Sequence, residues 1–236
     1  MKTQISCDRY YRDILNKKKS LKSLYTYFYK MVFSMLLQHG KSLEIGSGSG
    51  FLNQHIDNLV TSDILKLPWI NIRLRADKIP FKNDTFDNII LIQVLHHLGN
   101  VSQCIKEVSR VLKKGGRVIV IDHQVGLLSS LFLKVFHHEN FNLNQVLKDN
   151  ENIYFANNTA LANEIIVKDR SIWNQNKLFL KDVKFHTLFS YLLTGGFYKF
   201  NLLPDFLINF VHRFDKVFVE GSRNLALLMT AVFEKK

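Results

Sequence analysis

Ser42-Leu-Glu-Ile-Gly-Ser-Gly-Ser-Gly-Phe-Leu52 decides how the rest of the chain is read. Leu43 and Ile45 give it a short apolar strand. Three alternating glycines, Gly46, Gly48 and Gly50, make a turn, and Phe51–Leu52 open a helix. Glycine lets such a turn take positive φ and lets backbone approach a ligand closely. The N–H groups of a following helix terminus point toward whatever lies above the turn. The dinucleotide spacing G-x-G-x-x-G fails, because position 51 is Phe, and no Gly-Lys-Ser/Thr marks a phosphate loop. A carboxylate, Glu44, stands two residues before the first glycine, where it suits a ligand carrying an ammonium group. Ser47 and Ser49 add small hydroxyls. A Gly/Ser loop with no ligand is the plain alternative.

Outward from the turn, Phe51–Leu59 reads as a helix and Val60–Ile64 as a second strand ending at Asp63. Asp63 lies 17 residues after Gly46, where a carboxylate at a strand tip can accept hydrogen bonds from ribose hydroxyls. Ile70–Ala76 reads as a third strand delivering Asp77, which is equally well a turn residue. Phe86–Ile92 is nearly unbroken and β-branched, as in a parallel strand buried on both faces. It runs into Gln93-Val94-Leu95-His96-His97. Neighbouring histidines point apart, so a two-His metal clamp is not expected, and one ring is read as buried with the other facing a cleft. Val101–Leu112 places Cys104, Ile105, Val108, Val111 and Leu112 on one helix face, stops at Lys113-Lys-Gly-Gly116, and is followed by a fifth strand, Arg117–Asp122. Repeated strand–turn–helix units predict an α/β, doubly wound, mostly parallel sheet. Ligands of such sheets bind beyond the carboxyl ends of the strands, where Gly46–Gly50, Asp63, Asp77 and Gln93 all fall.

Taken together, residues 42–122 resemble the class I S-adenosylmethionine-dependent methyltransferases, type 11 branch. The likeness is carried by the Glu44–Gly50 turn, the fourth-strand ending in Leu-His-His, and the string EVSRVLKKGGRVIVID. It implies a seven-stranded Rossmann-like sheet and S-adenosylmethionine as cofactor. It also implies that Glu44, Gly46, Ser47, Gly48 and Gly50 cradle the methionine part, Asp63 and Ile64 the ribose, and Ala76 and Asp77 the adenine. Gln93 stands where many relatives carry an acid, which puts a charge-based role there in doubt.

Composition sets the bounds. The 236 residues are 47% hydrophobic, 22% charged and hold two cysteines, Cys7 and Cys104, too few for a disulfide framework. With no apolar leader and no run long enough to span a bilayer, a cytoplasmic protein is expected. The net charge of +12 sits on the flanks: residues 1–41 hold nine Lys/Arg against two Asp, and residues 163–236 hold eleven against seven. Such flanks suit nucleic acid, an anionic membrane or a phosphorylated substrate, and simple solvation accounts for them as well. Tyr10–Leu24 reads as polar and basic, with Lys17-Lys-Lys19 solvated, and Leu24–Gln38 as a helix that packs on the sheet or, alternatively, covers the substrate side as a lid.

The domain expectation is one unit over 1–236: a helical extension 1–41, a cofactor core 42–122, and a substrate-side and sheet-completing part 123–236. Phe136-His-His-Glu-Asn140 resembles a stretch after the fifth strand in type 11 relatives, and His137, His138 and Glu139 are candidate bases toward an acceptor hydroxyl. His96 and His97, at the end of the fourth strand, compete for that role. Tyr154–Val167 reads as an irregular polar stretch completing the cleft, Val183–Phe185 as a sixth strand, and Leu225–Phe233 as a closing strand. Pro204–Phe218 reads as an amphipathic helix with Leu207, Ile208, Val211, Phe214, Val217 and Phe218 on its core face, and peripheral membrane contact is left open by its aromatics. Residues 195–233 loosely resemble methyltransferases of surface-polysaccharide pathways.

Three functions stand at this stage. The first is methyl transfer to a small-molecule or lipid-linked acceptor, a sugar or other hydroxyl of the cell envelope. The second is methyl transfer to a quinone or lipid precursor. The third is a non-catalytic binding module. No metal and no nucleic-acid partner is expected.

Overall fold

Strand β4 (Phe86–Ile92) is the centre of the sheet, and its side chains show how the two sides are covered. Ile89 and Leu91 point to one face, where they meet Ile105 and Val108 of helix α3 (Val101–Val111). Ile90 points to the other and packs with Phe28, Val32 and Leu36, from helix α2 (Lys19–Met35) and its end. A strand apolar on both faces is stable only between two such layers. The computed structural model describes residues 2–126, 158–186, 189–218 and 222–236; His137, His138 and Glu139 lie outside the described residues.

Seven strands run in the order β3-β2-β1-β4-β5-β7-β6. Strands β1 (Ser42–Ile45), β2 (Leu59–Asp63), β3 (Ile72–Arg73), β4 and β5 (Leu112–His123) are parallel. Strand β7 (Leu228–Lys235) is antiparallel to both β5 and β6 (Leu178–His186). The expected doubly wound, mostly parallel seven-stranded sheet is therefore what the chain forms. The order reverses between β1 and β4, which opens a crevice beyond their carboxyl ends. Trp173, fully buried in helix α4 (Ser171–Gln175), stacks on Phe233 of β7 at 4.1 Å and ties the C-terminal strands to the core.

Several local expectations differ from the structure. Phe51–Leu59 forms only a 3-10 turn at Leu52–Gln54, because Asn58, at φ 56°, already turns the chain into β2. The third strand shrinks to Ile72–Arg73. Helix α3 ends at Val111 without a glycine cap: Leu112 is extended, and Lys113–Gly116 form the irregular start of β5. In the polar stretch Tyr10–Leu24, Lys17 and Lys19 are exposed as expected, but the chain is helical. Helix α1 (Lys2–Lys17) runs through it, breaks at the extended Lys18 and continues as α2. Residues 158–168 do not complete a cleft. They coil into a helical turn at Leu161–Asn163 and a wider one at Glu164–Lys168, burying Leu161, Ile165 and Ile166 against the α3 side of the core.

Helix α5 (Phe189–Thr194) and helix α6 (Asp205–Phe218) complete the described elements. The facing of α6 is the largest departure. Ile208 and Asp215 turn inward, and Asp215 accepts hydrogen bonds from the Ser190 backbone N–H (2.9 Å) and hydroxyl (2.7 Å). Leu207 and Phe214, expected in the core, are exposed. Local periodicity marks an apolar stripe but not which side the neighbours cover.

Candidate functional site

A cavity of about 640 Å³ lies at the carboxyl ends of β1, β2 and β4, walled by the glycine turn below and α1 above. Glu44, Gly46, Ser47, Gly48 and Gly50 line its floor. Asp63 and Ile64 come from the end of β2, Ala76 and Asp77 from the turn after β3, and Gln93 from the end of β4. His97 stands on the same wall. Residues spread over half a hundred positions thus meet because parallel strands end at one edge of the sheet.

The turn is built by its own hydrogen bonds. The Ser47 hydroxyl donates to Glu44 Oε2 (2.7 Å) and accepts from the Ser62 N–H (3.1 Å). Gly46 has φ 72°, and a Cβ there would sit 2.6 Å from Val94 Cγ2. Only glycine meets both conditions. Gly48 N donates to Asp63 Oδ2 (2.9 Å), and Leu65 N donates to Asp63 Oδ1 (2.9 Å). Asp63 therefore fixes the turn as well as facing the cavity, and each carboxylate oxygen keeps lone-pair capacity for a ligand hydroxyl.

The acids differ in electrostatics. Glu44 is buried, and desolvation pushes its carboxyl up to about 7 despite the Ser47 hydrogen bond, with the Asp63 charge adding to the rise. Burial, then the Asp63 charge, also raises Asp8. Asp77 goes the other way: the Arg75 guanidinium holds its carboxyl below the usual range through bonds of 2.8 and 2.5 Å. The cavity thus pairs a carboxyl whose ionisation an arriving cation would favour with one whose ionisation Arg75 already favours.

His96 and His97 take different surroundings, although their rings lie 3.9 Å apart instead of pointing away from each other. His96 is buried, and its Nδ1 donates to Asp122 Oδ1 at 2.7 Å. Burial alone would raise the Asp122 carboxyl, but the His96 and His123 rings and the His123 N–H outweigh it and hold it down to about 2. His123 completes a cluster with His96 and Asp122 whose ligand-type atoms lie within 4.8 Å of one another. Asp122 is occupied there by the Leu95 N–H (3.0 Å) and the His123 N–H (2.7 Å) as well, so it serves as a structural hub.

Of the roof, the sequence reading offered only the Leu24–Gln38 helix as a candidate cover and missed α1 and Phe197. Asp8, Tyr11 and Leu15 of α1, Tyr29 of α2, and Phe197 all line the cavity. The Arg12 guanidinium donates to the Ser49 and Gly50 carbonyls and stacks 3.8 Å from the Phe51 ring and 4.9 Å from Trp69. Trp69 Nε1 donates to the Gly48 carbonyl (2.7 Å). Asp8 and Arg12 are four residues apart and so share a helix face. That spacing was the one available signal.

Residues 43–120 match the family described as a methyltransferase domain. The chain is 39% identical over 56 residues to the uncharacterized methyltransferase YcgJ of Bacillus subtilis, which is 22% of each protein. It is 29% identical over 72 residues, 30% of this chain and 26% of the other, to the ubiquinone/menaquinone biosynthesis C-methyltransferase UbiE of Pasteurella multocida. The matches span between 22% and 50% of the length of the first curated relatives. The structure superposes on that of a S-adenosylmethionine-dependent methyltransferase from Thermotoga maritima with TM-score 0.54 and 13% identity, over 97% of this chain and 99% of that one, a likeness of fold.

Over that core the chain is similar to a methyltransferase domain, within a fold that solved methyltransferase structures share.

S-adenosylmethionine is the cofactor that a methyltransferase domain implies, and the residues lining the cavity fit that group on their own chemistry. Gln93 Nε2 is buried against the cavity with no hydrogen-bond partner among the described residues, a donor that a polar ligand would satisfy. The Gly46–Gly50 floor has no Cβ in the way. Asp63 at the end of β2 suits ribose hydroxyls, and Glu44 suits an ammonium group.

Proposed function

We propose that this chain transfers a methyl group from S-adenosylmethionine to a nucleophile on a small-molecule or lipid-linked acceptor. The cofactor supplies a methyl group on a sulfonium, an electrophile that needs no further activation by the protein. The carrying observation is the single cavity that gathers Glu44, Asp63, Asp77 and the unsatisfied Gln93 amide at the strand ends. In this reading Glu44 holds the ammonium, Asp63 the ribose, and Asp77 with Ala76 the adenine side. Arg12 and Tyr29 brace the turn from above, with the Tyr29 hydroxyl accepting the Phe51 N–H (3.1 Å). Holding donor and acceptor in line supplies much of the rate in such a displacement.

An oxygen acceptor also has to lose a proton. His97 is the imidazole on the cavity wall, and it is the base for a hydroxyl acceptor in this reading, with the His137–Glu139 segment as its competitor. The acceptor we favour is a sugar or related hydroxyl of a cell-envelope pathway, working on the inner side of the membrane. The sequence likeness of residues 195–233 supports it. Relatives named for ubiquinone, menaquinone and demethylmenaquinone methylation support a second reading, a ring carbon of a lipid-soluble precursor, which would need less from a base.

Titration calorimetry with S-adenosylmethionine is the first test: a folded protein that gives no binding refutes the proposal. Incubation with methyl-labelled cofactor and fractionated envelope extract then separates the readings. Label in the saccharide fraction supports the first, and label in the organic-soluble quinone fraction supports the second.

A further inference from the structure

Residues 198–210 expose more aromatic and aliphatic surface than any other described run of the chain. Phe206 is 72% exposed, Phe210 68%, Tyr198 64%, Leu202 60% and Phe200 59%. Phe206 and Phe210 are one helical turn apart on α6, so they stand side by side on its outer face. Helix α6 is thus turned with large apolar residues outward, while its inward Asp215 is engaged by Ser190. Burying such groups against water is worth far more than exposing them, so the arrangement calls for something that covers it.

The surface is also held in shape. Lys18 Nζ donates to the carbonyls of Gly196 (2.9 Å), Tyr198 (2.8 Å) and Phe200 (2.9 Å). Gly195 and Gly196, both at positive φ, set the turn that presents Tyr198 and Phe200, whose rings stack at 5.8 Å. Rings fixed in place before contact lose little freedom on docking.

Charge selects the occupant. Over residues 198–216 the exposed charged side chains are Lys199, Arg213 and Lys216, while Asp215 is buried and Asp205 accepts from Asn201 (2.8 Å). Arg213 lies seven residues from Phe206, on nearly the same side of the helix. Lys17, Lys19 and Lys22, on the chain that anchors this loop, are exposed too. A chain of net charge +12 repels its own copy but is drawn to an anionic surface. Aromatic rings ringed by cations on a helix too short and polar to span match an interfacial seat.

We propose that the face formed by Tyr198, Phe200, Leu202, Phe206 and Phe210, with its flanking cations, docks on an anionic lipid bilayer. Phe197, next to Tyr198, lines the cofactor cavity and packs against the Tyr11 ring at 4.9 Å, so docking sets the cavity's rim at the lipid headgroups. Under the methyl-transfer reading, and resting on it, the acceptor is an amphiphile presented from the bilayer. The docking itself does not depend on that reading.

The test is vesicle flotation of the full chain without cofactor, using phosphatidylcholine alone and phosphatidylcholine with phosphatidylglycerol in equal parts. The expected result is flotation with the anionic vesicles, weakened by salt and much weaker on the neutral ones. The double variant Phe206→Ser/Phe210→Ser should lower partitioning roughly 10- to 100-fold. It should keep the wild-type circular dichroism and cofactor affinity, since neither residue touches the cavity. Wild-type protein that stays with neither vesicle, or a folded double variant that floats equally well, overturns the proposal. So does a wild-type dimer in sedimentation that the double variant breaks, which would give the face to a second copy.

Discussion

Replacing Glu44 with Gln separates what this residue costs the fold from what it offers the ligand. The wild-type carboxyl is buried, with its pKa raised from an ordinary 4.5 to about 7. An acid whose folded pKa lies above its unfolded one binds its proton more tightly when folded. Stability is therefore highest below pH 4.5, falls between pH 4.5 and 7, and is flat above. At 1.36 kcal/mol per unit the full cost at pH 8 is about 3 kcal/mol, an upper figure. Glutamine keeps the shape and the acceptor for the Ser47 hydroxyl but never ionises. Glu44→Gln should then gain on wild type between pH 5 and pH 8 by up to about 3 kcal/mol, roughly 6–12 °C in melting temperature. Cofactor binding should move oppositely. A bound ammonium favours the ionised carboxylate, so wild-type binding should release a proton below pH 7 and tighten as pH rises, whereas the variant should bind weakly with no such slope. Scanning calorimetry across pH, with titration calorimetry in two buffers of different ionisation enthalpy, reads both effects. Parallel stability–pH curves for the two proteins would refute the reasoning.

Three further outcomes follow from the same geometry. Asp63→Ala should weaken cofactor binding by about 1–3 kcal/mol, since it strips a ligand acceptor and leaves the Gly48 and Leu65 N–H groups unsatisfied; an unchanged dissociation constant in calorimetry removes it from the site. Gly46→Ala should cost about 1–3 kcal/mol in urea unfolding from backbone strain alone, more from the Val94 clash, and Val94→Ala in the same chain should return only the clash part. Arg12→Ala should leave circular dichroism unchanged while speeding cofactor release roughly 3- to 10-fold in stopped flow, by removing the brace over Ser49, Gly50 and Phe51; an unaltered rate would make α1 a bystander.

The sequence by itself determined the sheet and the floor of the site. Phe86–Ile92 is apolar on both faces, and only a strand sandwiched between helices satisfies that. The glycine turn, with positive φ at Gly46 and Gly48, and the acids spaced after it follow from parallel strands that end at one edge of the sheet. These are local rules, legible within a dozen residues. Tertiary structure alone decided what came from elsewhere in the chain. Helix α1 overlaps a stretch that reads only as polar and basic, yet Asp8 and Arg12 find partners some forty residues away in the turn. His96 and His97 are indistinguishable as letters, and Asp122, brought alongside by β5, selects His96 for burial and leaves His97 on the cavity wall. On α6 the apolar stripe was visible but its facing was not. Ser190 draws Asp215 inward, and that one buried hydrogen-bonded pair turns Phe206 and Phe210 out to the solvent. Periodicity is a property of one helix, but which side is inside belongs to its neighbours.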